Sequence, residues 1–226
     1  MSTITWNGTP WHGAQARTPL LSIWSVLLTL LTGVAAPAQD IDLDYGFSMG
    51  PTGIGAIDLD GQNNLYVVGS FSDSVDIDPG PRQRNLESTD GDDLYILKLD
   101  SKGDYVWAGS FGGRGTDWVT ELAVDDHGHV YMAGTITYKM DFDPGPGVYE
   151  LGNDSWEQVF VSRLDPDGRL AWAVCIPVSF LGSAQSIHVD HEGNVYVTGY
   201  FSGTVDFDPG EGEFILSAVP SPDIPA

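Results

Sequence analysis

Short runs of apolar residues, separated by turn-forming residues, follow one another along most of the chain. Examples are Leu65–Val68, Leu94–Leu97, Val130–Met132 and Val195–Val197. These runs are rich in the β-branched and aromatic residues that favour strands. After residue 38 no segment keeps the 3.6-residue apolar period of an amphipathic helix. The pattern therefore predicts an all-β chain.

A gapless 65-residue repeat organises these runs. The sequence Asp-x-Asp-Pro-Gly begins at Asp76, Asp141 and Asp206, and the central residue is Ile or Phe. A tyrosine and a glycine recur in the same register, at Tyr66, Tyr131 and Tyr196, and at Gly69, Gly134 and Gly199. We predict complete units over 54–118 and 119–183, and a partial third unit over 184–226.

Each unit also contains a shorter motif, Asp-x-x-Gly, between two apolar runs. It begins at Asp60, Asp100, Asp125, Asp165 and Asp190. Its last residue is Gly except in the first copy, where it is Asn63. Gly and Asn are the residues that best tolerate a left-handed backbone, so the motif predicts a tight hairpin turn. The aspartate is expected to hydrogen-bond its own turn.

Two hairpins give four strands per unit, and tandem four-stranded antiparallel sheets are the blades of a β-propeller. A β-sandwich or a β-solenoid is the alternative. The repeat region is shorter than four units, the usual minimum for a propeller, which predicts an incomplete ring. The chain then reads as a fragment of a longer propeller. Its ends would be covered by the remaining blades of a longer parent chain or by self-association.

The repeat resembles the bacterial SBBP, or seven-bladed propeller, family. The resemblance is carried by Asp190–Gly199, Asp206–Gly210 and Leu164–Ala173, and it covers about residues 54–216. It implies a secreted or surface-attached bacterial protein without a common catalytic residue set. It also makes it plausible that residues 39–53, which resemble the end of a unit at Tyr45–Gly50, supply a strand that closes the ring.

The N-terminus has the order of a secretory signal peptide. Residues 1–38 contain no acid and one basic residue, Arg17, followed by an apolar run from Leu20 to Val34 and the small-residue sequence Ala36-Pro37-Ala38. An apolar run of about 15 residues is short of the ~20 that a spanning helix needs. Cleavage after residue 38 is therefore favoured over an uncleaved anchor. We expect a secreted or cell-surface product, extracellular or periplasmic, with no membrane span.

The composition excludes two classes of partner. The formal net charge is −23, and every acidic residue lies at or after Asp40. Nucleic acid and anionic membrane surfaces would be repelled by such a protein. One cysteine, Cys175, rules out an internal disulfide framework and favours an inert thiol in a strand.

The paired carboxylates of the Asp-x-Asp-Pro-Gly motifs are the candidate metal ligands. Carboxylates at positions i and i+2 share one strand face, and oxygen ligands suit Ca²⁺. The alternative is an acidic edge beside a rigid Pro-Gly turn, because a calcium cage needs six to eight oxygens and no EF-hand series is present. The candidates are Asp76, Asp78, Asp141, Asp143, Asp206 and Asp208.

The remaining chemistry points to no recognisable enzyme. His127 and His129 fall at turn positions that are polar in the sister units, and no nucleophile elbow, Walker loop or His-Glu-x-x-His helix is present. Trp107 and Trp172 recur in register, which favours blade packing over a sugar platform. We expect a non-catalytic module, without a cofactor other than a possible calcium ion, that binds an extracellular protein or glycan. The alternative is a polysaccharide hydrolase or lyase, with or without calcium.

Overall fold

The computed structural model describes residues 52–178 and 182–218, which form fourteen strands and, within those ranges, no helix. In the first unit the strands are β1 (Thr52–Leu59), β2 (Leu65–Phe71), β3 (Ser74–Asp76), β4 (Asn85–Glu87), β5 (Asp90–Leu99) and β6 (Tyr105–Thr116). The second unit has β7 (Trp118–Val124), β8 (Val130–Asp141), β9 (Glu150–Leu164) and β10 (Leu170–Pro177). They are followed by β11 (Gly182–Val189), β12 (Val195–Phe201), β13 (Thr204–Asp206) and β14 (Ile215–Ser217).

Each of the first two units is a four-stranded antiparallel sheet. The strand orders are β1-β2-β5-β6 and β7-β8-β9-β10. Gly112 and Gly113 of β6 pair with Asp141 and Met140 of β8, which links the two sheets into one strongly curled half-barrel. The hairpin β11-β12 repeats the first half of a unit. The prediction of all-β propeller blades in an incomplete ring is confirmed for the described residues.

The repeat is visible in the irregularities of the sheets. The first hairpin of every unit has a register shift at the same place, next to Gly55, Thr120 and Gln185. A left-handed residue recurs 65 positions apart, at Asp73 (φ 59°), Tyr138 (φ 72°) and Gly203 (φ 70°). A bulge increases the local twist of a strand pair. Repeating it at one register gives successive units the same twist.

The core consists of layers between successive units. Tyr66, Val68 and Ile96 on one face of the first sheet pack against Val130 and Met132 of the second. The opposite face of the second sheet packs in the same way against the β11-β12 hairpin, through Tyr131, Val161 and Ile187. The first strands β1, β7 and β11 lie side by side in this order. Face-to-face packing of neighbouring sheets is the arrangement of propeller blades.

Several predicted segments lie outside the described residues. These are the signal peptide over 1–38, the closing segment over 39–53 except its last two residues, and the end of the third unit after residue 218. Residues 52 and 53 belong to β1. In the ranges that the structure covers, no helix is long and apolar enough to cross a bilayer.

Candidate functional site

The aspartate of each Asp-x-x-Gly motif holds its own turn together. In the second unit, Asp125 Oδ1 accepts the backbone N–H groups of His127 and His129, both at 2.9 Å, and Oδ2 accepts the Tyr131 hydroxyl at 3.4 Å. Asp60 and Asp190 make the equivalent bonds, including those from Tyr66 and Tyr196. The fourth motif residue is left-handed in all five turns, at Asn63, Gly103, Gly128, Gly168 and Gly193, as predicted.

These bonds keep the turn carboxylates ionised. Hydrogen bonds from Asn194 and Tyr196 lower the pKa of Asp190 to about 2. Burial opposes ionisation at Asp60, but the bonds from Asn64, Gln62 and Tyr66 still hold the pKa of that carboxyl below its usual range. A carboxylate that is fixed and charged in a turn is a structural acceptor rather than a proton donor for catalysis.

A basic side chain completes this arrangement in the first two units. Lys98 Nζ lies 4.8 Å from the centre of the Tyr66 ring and 3.8 Å from Asp60 Oδ2. In the second unit Arg163 lies over the Tyr131 ring, with Cζ 5.5 Å from its centre. A cation over an aromatic face is attracted by the ring quadrupole. Each of these residues comes from the third strand of its sheet, β5 or β9.

The six calcium candidates are all engaged in loop hydrogen bonds. Asp141 Oδ1 accepts the N–H groups of Asp143 (3.0 Å) and Tyr149 (2.8 Å), while Asp143 Oδ1 accepts that of Gly145 (2.8 Å). The same bonds are accepted by Asp76 and Asp78 in the first unit and by Asp206 and Asp208 in the third. Among the residues that the structure covers, no three His, Cys, Asp or Glu side chains are placed to hold a metal ion. The loop geometry accounts for the conserved spacing within the repeat without a cation.

We expect a calorimetric calcium titration of the full chain to give no heat and no change in melting temperature. One carboxylate oxygen of each candidate is already committed to backbone N–H groups, so a six- to eight-oxygen cage is not assembled. A saturable heat that disappears in Asp143→Asn would contradict this and support the calcium site.

Asp93 and Asp117 are buried acids, each 1% exposed. The positions equivalent to Asp117 hold Thr52 and Gly182, so Asp117 departs from the repeat, whereas those equivalent to Asp93 hold Gln158 and Asp223. Asp117 lies between β6 and β7, where Oδ1 accepts the Thr137 N–H at 2.9 Å, while its buried Oδ2 has no hydrogen-bond partner. Asp93 accepts the N–H groups of Thr89 and Gly113. Asp117 therefore ties the first sheet to the second, whereas Asp93 holds together the β5–β6 end of the first sheet.

The environment of Asp117 favours its protonated form. The pKa of Asp117 is raised to about 7, mainly because the side chain is buried, and the charges of Asp93 and Asp92 raise it further. The hydrogen bond from the Thr137 N–H acts in the opposite direction. Burial also raises the pKa of Asp93. The sequence repeat does not reveal the contact between Asp117 and Thr137, because Thr137 belongs to the neighbouring sheet.

An open groove of about 870 Å³ lies over this junction. We call it the inter-blade groove; it is lined by Asp90, Arg114, Tyr138, Lys139, Glu150 and Asp154, among others. Arg114 lies 3.9 Å from Asp90, and Lys139 lies 3.8 Å from Glu150. These exposed pairs contribute little to stability. The groove thus offers an aromatic ring between charges of both signs.

Trp107, Trp172 and Cys175 are packed against the core of the sheets. Trp107 packs edge-on against Tyr66 and donates from Nε1 to the Pro166 carbonyl of the next unit at 3.2 Å, and Trp172 packs edge-on against Tyr131. Burial raises the pKa of the Cys175 thiol to about 12, which suppresses the reactive thiolate. The turns bring His127, His129 and His191 to one cleft of about 490 Å³ between the second and third units.

Comparisons with known proteins support the architecture. The chain matches no known protein-family profile. It is similar to an uncharacterised WD repeat-containing protein of Acanthamoeba polyphaga mimivirus, with 23% identity over 185 residues, covering 69% of this chain and 13% of the relative. It is also similar to the regulatory protein FlaEY of Caulobacter vibrioides, with 27% identity over 154 residues, covering 66% of this chain and 16% of the relative.

The chain thus spans less than a fifth of either relative's length. WD repeats form four-stranded propeller blades. The first similarity and the curled sheet together fit a propeller-like repeat fold.

Proposed function

We propose that the chain is part of a non-catalytic interaction module on a secreted or cell-surface protein, and that the inter-blade groove binds an extracellular protein or glycan. The resemblance to SBBP repeats and the signal-peptide pattern support export from a bacterial cell. The similarity to a WD repeat-containing protein supports a propeller-like repeat fold, whose blades present exposed surfaces for binding. Sequencing the N-terminus of the exported protein tests the localisation, with a start at Gln39 expected.

The observation that carries the proposal is Tyr138. Its backbone is left-handed (φ 72°), a conformation that is an outlier for a bulky residue. The sister units hold Asp73 and Gly203 at this position, and both residue types adopt the conformation readily. Tyr138 is nevertheless 43% exposed and lines the inter-blade groove. A strained, exposed tyrosine indicates a role that folding alone does not explain.

The variant Tyr138→Gly separates the binding role from the fold. Removing the left-handed strain, on the order of 1 kcal/mol, should leave the melting temperature unchanged or raised, since Gly203 occupies the same position in the third unit. Glycan-array and protein-array binding by the full chain should fall at least tenfold. Asp73→Gly is the matched control at the equivalent position and should leave binding unchanged. Equal binding by Tyr138→Gly and the unaltered chain would contradict the proposal.

A hydrolase or lyase acting on polysaccharide is the second candidate. Asp117 favours it, because it is a non-repeated acid with a raised pKa, and Asp93 is a second buried acid whose pKa is raised. Both side chains are buried, however, and a substrate in the inter-blade groove would not touch them. We therefore expect no turnover in a polysaccharide hydrolysis screen. Turnover that is lost in Asp117→Asn would favour the enzyme instead.

A further inference from the structure

The inter-blade groove contains more carboxylates than cations. The two basic residues that line it, Arg114 and Lys139, each pair with an acidic residue of the same groove. Asp141 and Asp154 line the groove as well, and among the described residues no Lys, Arg or His side chain forms an ion pair with either. The groove therefore has two carboxylates left for a cation from outside the chain, and the formal net charge of −23 attracts such a cation.

Tyr138 adds an aromatic ring to these carboxylates. It lines the groove, and none of the basic side chains that the structure describes lies over its ring. The face of a tyrosine ring attracts a cation, and a carboxylate beside the ring attracts the same cation by its charge. The two attractions therefore favour one kind of ligand, a positively charged group.

The chain itself shows how a basic side chain is held in such surroundings. Arg84 Cζ lies 4.3 Å from the centre of the Tyr105 ring, and Arg84 Nε donates to Asp78 Oδ2 at 3.1 Å. Lys98 likewise lies over a tyrosine ring and 3.8 Å from a turn aspartate. In both places one basic side chain contacts a tyrosine and an aspartate. The inter-blade groove has the tyrosine and the carboxylates of this arrangement without the basic side chain.

We propose that the inter-blade groove binds an arginine-containing segment of an extracellular protein, with the guanidinium group over Tyr138 and close to Asp141 and Asp154. Arginine suits this site better than lysine, because its planar group stacks on an aromatic ring and donates two N–H groups to one carboxylate. A volume of about 870 Å³ also leaves room for the residues on either side of the arginine. This inference names the partner of the proposed function and rests on it.

Fluorescence anisotropy of a labelled peptide, titrated with the full chain, tests the inference. The probe is Gly-Ser-Arg-Gly-Arg-Ser-Gly, acetylated at its N-terminus and labelled at its C-terminus. At about 0.15 M salt, exposed charges more than roughly 8 Å from the peptide are largely screened. We expect saturable binding under these conditions. Replacing both arginines by citrulline, which keeps the shape of the side chain but not its charge, should abolish it.

Two protein variants locate the bound peptide. Tyr138→Gly removes the ring and should weaken binding about fivefold. Asp154→Asn removes one exposed carboxylate and should weaken binding about threefold. Asp126→Asn is the matched control, because it removes the same charge from the turn at the opposite end of β8. It should change binding by less than about 1.5-fold.

Three results of the titration would overturn the inference. They are no saturable binding of the arginine peptide, equal binding of the citrulline peptide, or equal weakening by Asp154→Asn and Asp126→Asn. A neutral or acidic glycan whose array binding depends on Tyr138 would also overturn it, and would leave the proposed function standing. The proposed function fails instead if Tyr138→Gly leaves array binding unchanged, a measurement that is independent of the peptide titration.

Discussion

The variant Gly134→Ala is expected to lose about 3 kcal/mol or more of folding free energy. A Cβ atom at residue 134 would overlap the backbone carbonyl oxygen of Trp118 and lie 2.7 Å from Phe160 Cε1. Gly134 pairs directly with Val119 on β7, so the carbonyl can move away only by breaking the β7–β8 ladder. The same close approach recurs at Gly69 and Gly199, which explains why this glycine is repeated.

Chemical denaturation of the full chain measures this effect, and Gly61→Ala is the matched control. At Gly61 the nearest atom to an added Cβ is 3.7 Å away, so the control should change stability by no more than about 0.5 kcal/mol. If Gly134→Ala unfolded at the same denaturant concentration as Gly61→Ala, the register between β7 and β8 would be wrong.

The variant Asp117→Asn should stabilise the chain above neutral pH and remove most of its pH dependence between pH 5 and 8. The folded state binds the Asp117 proton more tightly than the unfolded state, whose pKa is near 3.8. The stabilisation from the protonated carboxyl is therefore complete below about pH 4 and is lost as the pH rises to about 7. The difference between the two pKa values corresponds to about 4 kcal/mol.

Thermal unfolding measured from pH 5 to pH 8 checks this prediction. The melting temperature of the unaltered chain should fall across this range by on the order of 10 °C, and that of Asp117→Asn should stay nearly constant. The amide oxygen still accepts the Thr137 N–H, and its N–H₂ group can donate to neighbouring carboxylates. Asp126→Asn, at an exposed acid, should keep the slope of the unaltered chain. Identical slopes for all three proteins would refute a protonated Asp117.

The turn aspartates affect the stability of the folded chain in a different, more acidic pH range. Hydrogen bonds lower the pKa values of Asp60, Asp125 and Asp190, so their stabilisation is present above the unfolded pKa and is lost as the pH falls below about 4. This loss of stability occurs below the pH 5–8 range in which Asp117 is tested. The two effects can therefore be measured in one titration without overlap.

The sequence predicts those parts of the molecule that the repeat imposes. The left-handed Asn63, the turn aspartates and the glycine at 134 all recur at a fixed spacing, and their roles follow from local backbone chemistry. The spacing of Asp76 and Asp78 is recognisable too, and loop hydrogen bonds account for it. That calcium does not bind there stays a prediction, which the calcium titration tests.

The candidate functional features lie where the repeat is broken, and local patterns do not reveal them. Asp93 and Asp117 both belong to the first unit, and Asp117 contacts Thr137 of the second unit only because the two sheets pack together. Tyr138 is conspicuous only once its backbone is known to be left-handed. Comparing each position with its equivalents 65 residues away would have identified Asp117 and Tyr138 as departures from the repeat, although not their burial or conformation. Asp93 would not stand out, because Asp223 repeats it.

Hydrogen exchange on the full chain most directly tests the claim that one repeat builds the first hairpin of every unit in the described residues. The amides of β2 and β8 should exchange slowly throughout, because strands flank both edges. The amides through which β11 and β12 pair should be protected as well, since this hairpin repeats β1–β2 and β7–β8. Exchange of those paired amides as fast as that of the exposed turn between β11 and β12 would contradict the account.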